Sequence, residues 1–141
     1  IFFTTDLSRT QLVECLSTFF ENYYPFIQRF SLLNREDYEA ECANLPEWWT
    51  EEMAHKDVLF YTEGLDREFL EEKLLALNLG DEVLHFGKTA VFWGKFSEDS
   101  YAKTAYHKHL MKMPFYRQIT IRNANTFDKI GQFLKQKEGD N

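Results

Sequence analysis

Apolar residues recur every three or four positions in five stretches of the chain, a spacing typical of amphipathic helices. Each stretch follows a residue whose side-chain oxygen can cap a first helical turn. Prolines at 25 and 114 end the first and the fourth stretch. The predicted helices cover residues 9–24, 35–41, 66–77, 99–113 and 126–134, with caps at Asp6 or Ser8, Asn34, Asp66, Ser97 and Asn125.

Six shorter stretches are β-rich or alternate between apolar and polar residues, as strands do. They cover residues 1–5, 26–33, 57–62, 83–86, 90–96 and 117–122. Gly87, Lys88 and Thr89 separate two of these strands and predict a hairpin. The first strand has no preceding turn, so the chain looks cut inside an element.

From residue 57 to residue 122 the element order is β-α-β-β-α-β, the split βαβ or ferredoxin-like arrangement. The sequence therefore predicts an α+β fold. A ferredoxin-like unit with a C-terminal helix would pack on a truncated second ferredoxin-like half. The predicted division is residues 1–50, a strand-helix-strand-helix half, and residues 51–141, the ferredoxin-like half with its last helix.

The composition agrees with a folded domain, since 44% of the 141 residues are apolar and 17% are aromatic. Disordered, collagen-like and disulfide-scaffold classes are excluded. No apolar run reaches the ~18 residues that span a bilayer, and no signal peptide opens the chain. We expect a cytoplasmic protein without a membrane partner. Its two cysteines, Cys15 and Cys42, should be reduced and buried.

Charge is distributed unevenly along the chain, although the net charge is −7. Residues 35–82 hold 15 acidic and 4 basic residues. Residues 100–127 hold five basic residues and no acidic one: Lys103, Lys108, Lys112, Arg117 and Arg122. The average charge therefore conceals a cationic segment near the C-terminus.

The end of the last predicted strand is the strongest candidate site, because a strand there gives way to a helix. A helix N-terminus has free N–H groups and a partial positive charge, which suit phosphate or carboxylate. An arginine beside it adds a bidentate grip on such a group. The predicted anion-binding residues are Arg122, Asn123, Asn125, Thr126, Lys103 and His107.

Two other interpretations of this segment stay open. In the first, the basic residues are a solvated surface, Asn125 or Thr126 only caps the helix, and Arg122 pairs with Asp128. In the second, Lys103, Lys108 and neighbouring tyrosines bind nucleic acid. Five bases in a protein of charge −7 are few for that role.

Templates for catalysis and metal binding are absent from the sequence. It has no P-loop, GxGxxG, GxSxG or HExxH motif. His107 and His109 diverge by about 200° on a helix, so they do not chelate one ion. Glu52 and His55 have the i, i+3 spacing of helical metal ligands, but only once. We therefore expect no catalytic residue, no metal and no cofactor.

Several segments carry a family likeness. The run TIRNANT at 120–126, followed by Lys129 and Ile130, resembles the Thr-Thr-Arg-Asn-Trp-Asn-Thr…Lys-Leu ending of the bacterial "domain of unknown function 1697" family. EDSYAKT at 98–104, DVLFY at 57–61 and IFFTTD at 1–6 resemble other segments of that family. Two family features differ here: Ala124 stands in place of the tryptophan, and the first strand, helix and strand are missing.

The resemblance implies two pseudo-repeated ferredoxin-like halves in a bacterial cytoplasmic protein, and it implies no chemistry. Our first expectation is a non-catalytic binding module for an anionic small molecule or phosphate. The alternatives are a nucleic-acid-binding module and a structural or protein-interaction domain. A homodimer through an exposed edge strand, above all residues 1–5, is a further expectation.

Overall fold

The computed structural model describes residues 1–27, 29–97 and 104–139. Its helices are α1 (Arg9–Tyr23), α2 (Arg35–Ala43), α3 (Arg67–Leu75), α4 (Ala105–His109) and α5 (Ala124–Gly139). Its strands are β1 (His55–Tyr61), β2 (Glu82–Phe86), β3 (Ala90–Lys95) and β4 (Ile119–Asn123). The predicted α+β class is confirmed.

The four strands form one antiparallel sheet with the spatial order β2-β3-β1-β4. β1 lies in the interior, where Val58 pairs with Phe92 on one side and with Arg122 on the other. β2 and β4 are therefore the two edges. Between β1 and β4, the chain order is β-α-β-β-α-β, as the hydrophobic pattern predicts.

Each face of the sheet has its own apolar core, because successive residues of a strand point to opposite faces. Leu59, Val91 and Trp93 face α3 and α4 and pack with Leu70 and Leu110. Val58, Phe60 and Phe92 face the other way and pack with α5 and the N-terminal region. There the cluster contains Tyr38, Trp49, Ala124 and Phe127.

Local capping sets most helix starts where the sequence places them. Ser8 and Gln11 form a reciprocal capping box at α1. The side chains of Asn34 and Asp66 accept hydrogen bonds from the third residue of α2 and of α3. These three caps agree with the predicted ones.

The predicted helix over residues 99–113 is confirmed as helical at residues 105–112 but is not one continuous α-helix. Thr104 caps α4, which ends at His109 and continues as a 3-10 turn, Leu110–Lys112. Ser97, the predicted cap, instead donates its hydroxyl to Asp81 Oδ2 at 2.9 Å. The start of the predicted helix lies outside the described residues.

The two predicted N-terminal strands are also wrong, since the described residues before His55 contain no strand. Alternating apolar residues form a strand only when a neighbouring strand supplies hydrogen bonds, and here the sheet is built from residues 55–123. In residues 1–5, Phe2 instead stacks on Phe133 of α5, with ring centroids 3.8 Å apart. In the other segment, the Ser31 hydroxyl lies 2.8 Å from Thr120 Oγ1.

The cysteines are a further correction, because Cys15 and Cys42 are both exposed. α1 has no buried residue, so its whole surface, Cys15 included, is at least partly open to solvent. In Cys42, the partial burial that remains raises the pKa of the thiol above its ordinary value.

Candidate functional site: the junction of β4 and α5

The junction of β4 and α5 brings together four of the predicted anion-binding residues within one strand end and one helical turn. Asn123 ends β4, and α5 begins at Ala124. Asn123 Oδ1 accepts a hydrogen bond from Thr126 N at 2.9 Å and lies 3.2 Å from Thr126 Oγ1. Asn123 is therefore the cap of α5. The prediction that Asn125 caps this helix is wrong, since Asn125 is its second residue and is exposed.

Arg122 precedes this cap and is exposed to solvent. Its Nη1 donates a hydrogen bond to the carbonyl oxygen of Ile121 at 2.7 Å. Within the described ranges of the chain, Arg122 forms no ion pair with a carboxylate, and Asp128 is not its partner. A guanidinium has five N–H donors, so most of them remain for a ligand.

Lys56 is a second cation at this end of the sheet. Val58 pairs with Arg122, so Lys56, two residues earlier on β1, presents its side chain on the same face. The Cα atoms of diagonal neighbours on adjacent strands lie about 7–8 Å apart. Lys56 Nζ donates to the carbonyl oxygens of Trp49 and Glu51 at 2.7 and 3.1 Å. Sequence reasoning missed Lys56, because only the strand register reveals this proximity.

The electrostatic character of the α5 start differs from that of the α2 and α3 starts and resembles that of α1, which has the neutral cap Ser8 and no acidic residue in its first turn. α3 begins with the carboxylate Asp66, and α2 has Glu36 and Asp37 in its first turn. α5 has a neutral cap and no acidic residue in its first turn. Within the described residues, the first turn of α5 thus has no acidic side chain of its own to offset the partial positive charge of the N-terminus beside Arg122, although Asp57 of β1 pairs with Asn123 in the strand register.

The α4 start is the opposite case, because the protein supplies its own anion there. Glu82 Oε2 accepts a hydrogen bond from Ala105 N at 2.8 Å, and Oε1 accepts one from Tyr106 N at 3.0 Å. Trp93 Nε1 donates to the same carboxylate at 3.2 Å. Glu82 is only 5% exposed, so this interaction is internal.

The remaining predicted site residues do not extend the junction. His107 is exposed on α4, and its backbone N–H donates to Thr104 Oγ1 at 3.0 Å. α4 covers the sheet face opposite to the one that α5 covers. Lys103 lies outside the described residues.

A small cavity of about 10 Å³ lies near the α4 start, lined by residues that include His55, Asp57 and Tyr106. Burial raises the pKa of the Asp57 carboxyl, while a hydrogen bond from Tyr106 and the nearby His55 oppose this rise. A cavity of this size has room for about one water molecule at most. It is thus a packing detail of the polar cluster rather than a substrate pocket.

A groove of about 330 Å³ runs between the N-terminal segment, α1, α2 and α5, and its lining is mostly apolar. In the part of the chain that the structure describes, no three His, Cys, Asp or Glu residues are placed to hold a metal ion. His55 begins β1, so Glu52 and His55 do not share a helix, and their i, i+3 spacing does not place them on one helical face. None of the described helices has the length and apolarity that crossing a membrane requires.

Comparisons with known proteins place this α+β fold in a class of conserved bacterial proteins. The chain matches no protein-family model and no curated protein. It is similar to a solved structure, the conserved bacterial protein SP0830 from Streptococcus pneumoniae. The identity is 65%, the TM-score is 0.91, and the match covers 94% of this chain and 74% of that chain. The chain belongs to the same family as SP0830.

Proposed function

We propose that the protein is a non-catalytic binding module that holds a phosphate or another small anion at the junction of β4 and α5. The observation that carries the proposal is the exposed, carboxylate-free Arg122 beside a helix start with a neutral cap. Phosphate would lie against the free N–H groups of the first α5 turn, and Arg122 would bind two of its oxygens.

The arrangement favours an anion over a cation or an apolar ligand. Asn123 satisfies only the Thr126 N–H, so the N–H groups of the first two α5 residues remain for a ligand. Lys56 adds positive charge on the same face of the sheet. Among the described residues around the junction, none forms a nucleophile–base pair or an acid–base pair, so the proposed module binds without turnover.

A phosphate titration by calorimetry tests the proposal, with Arg122→Gln as the variant. Arg117→Gln is the matched control, because Arg117 is an exposed cation of the same basic segment but lies before β4. We expect millimolar phosphate binding that Arg122→Gln weakens at least about fivefold and Arg117→Gln leaves unchanged. No binding, or equal loss in both variants, contradicts the proposal.

Single-stranded RNA in the same titration separates the nucleic-acid alternative. RNA binding that is tighter than phosphate binding, falls steeply with salt and is lost in Lys108→Glu would favour that alternative. Lys108 is exposed on α4, away from the junction. A phosphate site at the junction should be insensitive to Lys108→Glu.

A protein-interaction role is the second candidate function, because an aromatic surface lies open at the end of α1. Phe19, Tyr23, Tyr24 and Phe26 contact one another through their rings, and Phe26 is 78% exposed. Contiguous exposed apolar surface of this kind marks interaction sites. The dye ANS should bind it, and Tyr23→Ser with Phe26→Ser should lower the dye fluorescence. Unchanged fluorescence would contradict this candidate.

We also propose the narrower assignment of family and architecture. The Arg-Asn-x-Asn-Thr motif of the "domain of unknown function 1697" family falls at residues 122–126, the β4–α5 junction. Residues 51–141 form a ferredoxin-like unit, supported by the strand order β2-β3-β1-β4. Residues 1–50 are the second part of this proposed division. Their described residues contribute α1 and α2 but no strand, and they share a core with the first unit through Tyr38 and Trp49.

A further inference from the structure

The two edges of the sheet differ in how their backbone hydrogen-bonding groups are used. The Thr62 N–H donates to the Gln118 carbonyl. The backbone N–H and carbonyl groups of alternate residues 118, 120 and 122 therefore point toward β1. The backbone N–H and carbonyl groups of Ile119, Ile121 and Asn123 therefore point away from β1, toward the edge of the sheet. The Ile121 carbonyl is occupied by Arg122 Nη1, and the Asn123 side chain caps α5. These intramolecular contacts leave fewer backbone groups on the β4 edge for pairing with another strand.

The edge of β2 is open. The Gly87 N–H donates to the Ala90 carbonyl at 2.8 Å. The backbone N–H and carbonyl groups of residues 81, 83, 85 and 87 therefore point toward β3, and those of Glu82, Leu84 and Phe86 point away from it. The Glu82 N–H donates to the Leu79 carbonyl. Within the described residues, the N–H and carbonyl groups of Leu84 and Phe86 have no hydrogen-bond partner. β2 contains no lysine or proline, the residues that commonly protect an edge.

We propose that β2 pairs antiparallel with β2 of a second copy of this chain, around a two-fold axis at Leu84. In that register Leu84 faces Leu84 of the partner, and each Phe86 N–H donates to the Glu82 carbonyl of the partner. Four new backbone hydrogen bonds form, and they use N–H and carbonyl groups, including the Glu82 carbonyl, that have no hydrogen-bond partner among the described residues. The result is a continuous eight-stranded sheet with a closed, two-fold interface.

The side chains of β2 suit a second copy. On one face, apolar Leu84 meets its own counterpart. On the other face, Val83 lies opposite His85 of the partner, in a non-hydrogen-bonded pair whose side chains are close. No two like charges stand opposite each other in this register, and opposed like charges would destabilise it. In this register the strand is therefore complementary to itself in backbone hydrogen bonds, and it opposes no like charges.

Paired charge variants at the predicted Val83–His85 contact test the register. Val83→Lys with His85→Lys places lysine opposite lysine at both ends of the interface. Val83→Lys with His85→Glu alters the same two positions but places lysine opposite glutamate. By analytical ultracentrifugation up to about 1 mM protein, we expect dimers for the natural chain and the Lys–Glu variant, and monomers for the Lys–Lys variant.

Hydrogen exchange on the natural chain keeps the test independent of whether the variants fold. In the dimer the amides of Leu84 and Phe86 should exchange at least about tenfold more slowly than in dilute, monomeric protein. A monomer at every concentration overturns the proposal. A dimer in which these two amides remain fast, or one that the folded Lys–Lys variant keeps, also overturns it.

Discussion

Replacing Glu82 by glutamine should destabilise the fold through the start of α4, although the change conserves size. The carboxylate is 5% exposed and accepts three hydrogen bonds, two from the helix N–H groups and one from the Trp93 indole. Glutamine keeps one acceptor oxygen, while its NH₂ group is directed at a backbone N–H. One hydrogen bond is lost, two lose their charge assistance, and the attraction between the carboxylate and the helix dipole disappears.

The expected loss follows from these contacts. Hydrogen bonds to a charged group contribute about 1.5–3 kcal/mol each, against about 1 kcal/mol for neutral ones. Glutamine avoids part of the cost of burying a charge, so the free energy of unfolding should fall by about 3 kcal/mol. At about 2 cal/mol/K of unfolding entropy per residue, this corresponds to roughly 10 °C in Tm.

Urea unfolding monitored by circular dichroism measures this loss, with thermal melts as a second assay. Glu72→Gln is the matched control, since Glu72 is exposed on α3 and its replacement should change stability by less than about 0.5 kcal/mol. If Glu82→Gln were as stable as Glu72→Gln, the carboxylate would not hold the α4 start. The α4 start would then not be a helix start that a carboxylate of the protein already occupies, and it could not be contrasted with the neutral cap of α5.

Three further changes have defined outcomes. Phe127→Ala should lower the free energy of unfolding by about 3–5 kcal/mol in urea, because Phe127 is 1% exposed and packs on Trp49 and Phe92; a loss below about 1 kcal/mol would contradict this packing. Burial raises the pKa of Asp57, so wild-type stability falls as pH rises from the ordinary carboxyl pKa to the raised one. The stability of Asp57→Asn relative to wild type should therefore be higher near pH ~7 than near pH ~3, and a constant difference across this range would refute the sign. Asn123→Asp should keep the α5 cap but weaken phosphate binding at least about tenfold, because it places a negative charge at the proposed site and opposite Asp57; unchanged affinity by calorimetry would count against that site.

Much of the fold follows from local signals in the sequence. The starts of α1, α2 and α3 are determined by the caps at Ser8, Asn34 and Asp66, which act within one helical turn. The strands of the sheet likewise carry β-rich residues between clear turns. These elements are specified by residues close together in the chain, so a local pattern predicts them.

The errors share a physical cause, which is dependence on residues distant in the chain. Alternation in residues 1–5 and 26–33 predicts strands, yet a strand also needs a partner, and none is present among the described neighbours. Glu82 accepts a hydrogen bond from a helix start 23 positions later, a contact that no local sequence pattern predicts. The candidate site was predicted for Arg122 and Asn123 because strand end and helix start are adjacent there. Lys56 required the register of β1 against β4.

Backbone amide shifts during a phosphate titration test the central claim most directly. The starts of α4 and α5 serve as internal references for each other, because Glu82 occupies the first and only the neutral Asn123 caps the second. Millimolar phosphate should move the amides of Ala124, Asn125 and Thr126 in wild type and leave those of Ala105 and Tyr106 in place. Stationary amides at the start of α5, or equal movement at both helix starts, would contradict the account.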